Sequence, residues 1–106
     1  MDVRECLGHG GNGIVIHPLA RIGRHVVIGQ QVTVGGTGIG QAKPVIGDHV
    51  YIGAGAKILG PITIGNSVVI GANAVVVKSI PSNCVAVGVP ARLIKEGVDA
   101  HTIENF

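Results

Sequence analysis

The chain has 106 residues, a net charge of +2, 18 glycines, one Tyr, one Phe and no Trp. That length bounds one domain, and the shortage of aromatics argues against a conventional globular core. It also argues against nucleic-acid binding, which pairs a basic patch with stacking aromatics. Apolar runs such as 74–77 are far too short to cross a bilayer, and no charged-then-apolar leader opens the chain. Cys6 and Cys84 lack metal or redox spacing and read as two reduced thiols of a cytoplasmic protein.

Residues 1–13 precede the regular part of the chain. Within them, Gly8-His9-Gly10-Gly11-Asn12-Gly13 matches the dinucleotide fingerprint G-x-G-x-x-G letter for letter. That fingerprint needs a strand before it and a helix after it. Here the β-branched run Ile14-Val15-Ile16 follows, then Pro18, so the match is rejected and Asn12-Gly13 reads as a tight turn.

From Ile16 onward every sixth residue is aliphatic: Ile16, Ile22, Ile28, Val34, then Gly40 as the exception, then Ile46, Ile52, Ile58, Ile64, Ile70 and Val76. A period of six fits neither a helix nor a lone strand. It is the signature of hexapeptide repeats coiled into a parallel β-helix. Residues 16–33, 34–51, 52–69 and 70–87 are expected to form successive circuits of three hexads each, with the pattern decaying from Ser82. The stretch 34–44 keeps the phase but loses the aliphatic at Gly40, so a bulged loop is expected there. Val85–Ile94 is expected to close the stack through a turn at Gly88-Val89-Pro90, because an open coil end exposes unpaired backbone. The organisation is therefore an all-β domain over 1–106: a lead-in 1–13, about four to five coils in 14–87, and a short cap and tail in 88–106. A stack this small also leaves flat faces exposed, and oligomerisation is the expected remedy.

These residues carry a likeness. The repeats, the ending Gly88-Val89-Pro90-Ala91-Arg92, His9, Gly13-Ile14-Val15, the segment Val32-Thr33-Val34-Gly35-Gly36-Thr37-Gly38 and the segment Gly53-Ala54-Gly55-Ala56-Lys57-Ile58-Leu59-Gly60 together resemble the hexapeptide-repeat acyltransferases, in their serine acetyltransferase-like branch. The resemblance covers roughly residues 8–95. It implies a left-handed β-helix, acetyl-coenzyme A as acyl donor with no metal required, and a homotrimer with active sites between subunits. It also implies that His9 is the general base, taking a proton from an acceptor hydroxyl as that hydroxyl attacks the thioester carbonyl. Backbone N–H groups near Gly35 and Gly36 would stabilise the oxyanion.

If three hexads make a circuit, residues eighteen apart stack about 4.8 Å apart. Gly36, Ala54 and Ala72 then fall on one line, and Thr37, Gly55 and Asn73 on the next. Small side chains along one edge make a slot, and the family lays the pantetheine arm of its thioester in such a slot; the plain alternative is that corner residues must be small. His9 precedes Gly36 by one and a half such circuits, so it would meet the slot only across a subunit interface. Lys78, Arg92 and Lys95 cluster late in the chain, where cations suit the phosphates of coenzyme A.

The chain also departs from the serine enzymes. Gly8 stands where they carry Asp, and the upstream acid is replaced, if at all, by Asp2 or Glu5. Their Arg-His pair is missing from the shorter loop Gly40-Gln41-Ala42-Lys43-Pro44. A sugar or polysaccharide-precursor hydroxyl fits these losses better than serine. In a competing register Ile16-His17-Pro18-Leu19-Ala20-Arg21-Ile22-Gly23 matches an earlier family segment, Gln30 replaces the base, and the protein is inactive. His17, His25 and His49 read as corner residues. Two rival readings are a non-catalytic trimeric module that has lost its acceptor site, and a zinc enzyme of the carbonic anhydrase type. The zinc reading is disfavoured because His9, His17 and His25 are spaced by eight.

Overall fold

The computed structural model describes residues 12–36 and 43–97. Twelve short strands follow one another: β1 Val15–Ile16, β2 Arg21–Ile22, β3 Val27–Ile28, β4 Thr33–Gly35, β5 Val45–Ile46, β6 Tyr51–Ile52, β7 Lys57–Leu59, β8 Thr63–Ile64, β9 Val69–Ile70, β10 Val75–Val76, β11 Cys84–Val87 and β12 Arg92–Glu96. They sort into three sheets. The first face is β1-β4-β7-β10, the second β2-β5-β8, and the third β3-β6-β9-β11-β12. All pairings but the last are parallel, and the whole is a left-handed parallel β-helix with a triangular section.

Strands of two or three residues persist because each backbone group pairs with the coil above or below, not with a neighbour in the same coil. The bonds from Val27 N to Val50 O and from Tyr51 N to Val68 O, both 2.9 Å, are typical. Alternation does the rest. In each strand one residue points inward and its neighbour outward. The inward residues form three vertical ladders: Ile16–Val34–Ile58–Val76, Ile22–Ile46–Ile64–Ile80 and Ile28–Ile52–Ile70–Ala86. Corner residues add a fourth, Val26–Val50–Val68–Cys84, and most of these side chains are completely buried. The expected hexad phase is therefore the inward set.

The expected circuit lengths need correction. Val15 pairs with Thr33, eighteen residues on, and Val45 with Thr63, but Thr33 pairs with Lys57, Arg21 with Val45 and Val27 with Tyr51, each a step of twenty-four. One circuit thus holds an additional hexad, between Gly35 and Val45. The last circuit is shorter, because Ile64 meets Ile80 and Val69 meets Val85, a step of sixteen.

Two corners have visible chemistry. Between the third and first faces, Gly53–Ala56 and Gly71–Ala74 are turns closed by Ala56 N to Gly53 O and Ala74 N to Gly71 O at 3.3 Å, with Gly55 and Asn73 at φ of 76° and 58°. Positive φ at the third residue marks a type II turn, which favours Gly or Asn there. Between the second and third faces a side-chain ladder runs down the coil. Asp48 Oδ1 accepts from Arg24 N at 2.7 Å, Asn66 Oδ1 from Asp48 N at 2.8 Å, and Ser82 Oγ from Asn66 N at 2.8 Å. Beside it the His25 and His49 rings stack, centroids 4.9 Å apart and 5° from parallel. Asp48→Ala removes one rung and leaves the Arg24 N–H without its acceptor. It is expected to cost about 1 kcal/mol, read as a lower urea midpoint, whereas Asp48→Asn keeps an acceptor oxygen and most of the stability. Equal losses in the two variants would show that the rung carries nothing.

The cap is a hairpin, as the sequence suggests. β12 returns antiparallel on β11 across Gly88–Ala91, with a bulge between Val85 and Ala86. Cys84 ends the Val26–Val50–Val68 ladder and is only 3% exposed. Burial, with a smaller contribution from the Glu96 carboxylate, raises its thiol pKa above the usual value. The folded state therefore holds this proton more tightly than the unfolded chain. Its stabilising effect is present below the unfolded thiol's pKa and is lost as pH rises through the folded one. Urea midpoints are expected to fall above about pH 9, less steeply in Cys84→Ala. Parallel slopes for the two proteins would contradict this.

Candidate active site

The additional hexad decides the geometry of the site. With it in place, Gly36 does not stack on Ala54 and Ala72. Gly35 pairs with Leu59, which puts Gly36 beside Gly60 at the corner between the first and second faces; Gly60 N donates to Gly35 O at 3.0 Å. Ala54 and Ala72 lie at the corner between the third and first faces. There Gln30, Ala54 and Ala72 make one line and Gln31, Gly55 and Asn73 the next, as Gly55 N to Gln30 O and Asn73 N to Ala54 O, both 2.9 Å, show. The single slot expected from the eighteen-residue count is thus two corners flanking the first face.

At the alanine corner the N–H groups of Gln31, Gly55 and Asn73 are used in coil-to-coil bonds, the first to Asn12 O. A ligand on this corner meets the exposed methyl groups of Ala54 and Ala72 rather than a row of free donors. Lys57, on the outer surface of the first face, holds the corner closed: its Nζ donates to Gln31 O at 3.0 Å and Gly55 O at 2.9 Å. Its part was hidden in the sequence because Gln31 lies over Gly55 only when the additional hexad is counted. Arg92 pairs with Val87 beside this corner, and Lys95 pairs with Val85 one step further from it.

The other corner gathers Gly35, Gly36, His17, Lys43 and Lys78. His17 N donates to Val34 O at 2.8 Å, so His17 sits one coil above Gly35. Among the described residues a Cβ on Gly35 would meet nothing within 4 Å, while one on Gly36 would lie 2.6 Å from the Lys43 ammonium, which folds back against that glycine. Lys78 follows β10 on the same corner, two coils below Gly36, and is exposed. The sequence drew attention to Lys78 but passed over Lys43, whose contact depends on where the loop re-enters the coil. His9 and Thr37, and with them the expected base and one expected donor contact, lie outside the described residues. Among the described residues no group of three or more His, Cys, Asp or Glu is placed to hold a metal ion.

Residues 43–78 match the bacterial transferase hexapeptide family of six repeats. The serine acetyltransferase of Mycobacterium tuberculosis is 54% identical over 96 residues, 89% of this chain and 42% of that protein. The chain carries hexapeptide repeats, and its coil is similar to that of the serine acetyltransferases. Solved serine acetyltransferases superpose on the coil. That of Brucella abortus does so with a TM-score of 0.82 at 45% identity, over 88% of this chain and 38% of its own. A serine acetyltransferase in complex with CoA gives 0.74 at 44%, over 81% and 35%. That of Neisseria gonorrhoeae, in complex with serine, gives 0.76 at 45%, over 81% and 35%. The chain thus spans well under half of the length of these serine acetyltransferases, and the likeness concerns their coil. No helix among the described residues is long and apolar enough to cross a membrane.

Proposed function

We propose that the protein is an acetyl-coenzyme A-dependent O-acetyltransferase that works in the cytoplasm as a homotrimer. His9 takes the proton of an acceptor hydroxyl; the hydroxyl oxygen bonds to the thioester carbonyl; the carbon–sulfur bond breaks, and coenzyme A leaves as its thiol. No covalent enzyme intermediate is required. General-base help of this kind contributes roughly 10²–10⁴ in rate, and holding both substrates in line contributes more.

The observation that carries this reading is the 54% identity to a serine acetyltransferase across 89% of the chain. The expanded circuit at Gly35-Gly36 adds to it, because a structural prism has no need for one longer turn. The same similarity moves the acceptor from the sugar favoured by the sequence towards serine or a close analogue. The trimer draws support from the apolar residues left exposed on and beside the first face: Val15 at 60%, Leu19 at 65% and Val77 at 47%. Lys78, Arg92 and Lys95 are assigned to the phosphates of coenzyme A, and Ala54, Gly55 and Ala72 to its pantetheine arm.

Free-thiol release from acetyl-coenzyme A, followed with L-serine and with a panel of sugars, tests the proposal. Release dependent on L-serine is expected. Release with a sugar alone would reassign the acceptor. Coenzyme A binding with no release for any acceptor would favour a non-catalytic module.

A further inference from the structure

We propose that His17 and Lys43 form an oxyanion-binding pair at the open end of β4, taking a carboxylate of the acceptor or a phosphate of the donor. The inference rests on the acetyl-transfer reading for its substrates but on the described geometry for its chemistry.

Position comes first. Strand alternation places Ile16 inward, so His17 projects from the outer surface of the first face, directly above Gly35. Among the described residues nothing lies within 4 Å of a Cβ on Gly35, and Gly36 carries the Lys43 ammonium. The two side chains therefore flank one gap, at the only circuit that holds an additional hexad among the described pairings.

Donor identity follows. Leu19 N donates to His17 Nδ1 at 3.1 Å. That bond occupies the Nδ1 lone pair, so the ring proton belongs on Nε2, and the nitrogen turned outward is a donor. His17 is therefore suited to hold an anion and unsuited to act as the base. Lys43 adds a full charge with three donors. Two donors face one gap.

Among the described residues no carboxylate is placed to neutralise them. Among the described residues the carboxylates are Asp48 and Glu96. Asp48 accepts from Arg24 N on the second-to-third corner. Glu96 lies in β12 opposite Cys84, on the third face. Lys78, lower on the same corner, adds further positive charge. A cationic gap lined by glycine, with no acid of its own among these residues, is complementary to an incoming oxyanion.

Two variants test the pair. Lys43→Met keeps the aliphatic stem and removes the charge. His17→Asn keeps an acceptor for Leu19 N and removes the outward donor. Steady-state kinetics with L-serine, L-serinamide, acetyl-coenzyme A and its 3′-dephospho form read the result. Each variant is expected to raise one substrate's KM about tenfold with kcat changed less than threefold. If the anion is the acceptor carboxylate, the KM for L-serine rises and the preference for L-serine over L-serinamide collapses. If it is the donor's 3′-phosphate, the KM for acetyl-coenzyme A rises and the preference over the dephospho form collapses. Unchanged KM values for both substrates overturn the pair. Binding of L-serine and of coenzyme A by calorimetry separates this from the activity itself. Binding that weakens in the variants of a protein without turnover would sustain the pair and sink the transferase reading; turnover with undiminished binding in the variants would do the reverse.

Discussion

Ile58→Ala is expected to remove about 3–5 kcal/mol of folding stability. The side chain is completely buried, with Val34 one coil above and Val76 one coil below. Truncation removes the transfer free energy of three carbons and leaves a cavity. Collapse into that cavity is resisted because the rungs on both sides are fixed by backbone bonds such as Thr33 N to Ala56 O at 3.0 Å and Lys57 N to Ala74 O at 2.8 Å. For a domain whose total stability is of order 5–15 kcal/mol, that loss approaches unfolding. Urea denaturation would show it directly. The exposed Val27→Ala, on the outer surface of the third face, is expected to cost under about 1 kcal/mol, and a similar shift for both variants would contradict the inward ladder as the source of stability.

His9→Ala is expected to lower kcat by about 10²–10⁴ while leaving coenzyme A affinity unchanged. The separation is the informative part. A base acts on the acceptor proton, whereas the donor is assigned to the alanine corner and the late cations. Parallel loss of turnover and of coenzyme A binding would move His9 from the base to the donor site. Full activity in the variant would remove it from the mechanism.

The inward face of the coil was legible because a six-residue period leaves one consistent set of aliphatics, and Ile28, Ile46, Ile52, Ile58, Ile64 and Ile70 are all fully or almost fully buried. The coil count was legible for the same reason. The circuit boundaries were not. Six inserted residues in a six-residue period leave the phase intact, so Ile46 looks like the continuation of Val34 whether or not the chain has left the wall between them. The one trace is Gly40, which breaks the aliphatic series. Reading that glycine as an added hexad would have moved Gly36 away from Ala54 and brought Gln31 over Gly55. The two-residue shortening before Ile80 and Val85 was visible as the decay from Ser82, but its size was not, since Pro81-Ser82-Asn83 carries no periodic residue. Lys43 escaped notice, and His17 read only as a corner residue, because the partnership proposed for them is vertical and depends on the inserted residues. Lys57 escaped for the same reason and one more: its acceptors are backbone carbonyls, which no side-chain pattern records.

The antiparallel return of β12 governs how copies of this chain can associate. Every other strand in the coil presents to its neighbour the bonding pattern of a parallel pair, which the first coil of a second molecule could in principle continue. β12 reverses direction on the third face and shifts register at Val85–Ala86. A parallel newcomer at that end meets donors and acceptors spaced for the opposite polarity. Continuation of the third sheet along the prism axis is therefore opposed at β12, and the ring-closed trimer proposed above would leave that edge unused.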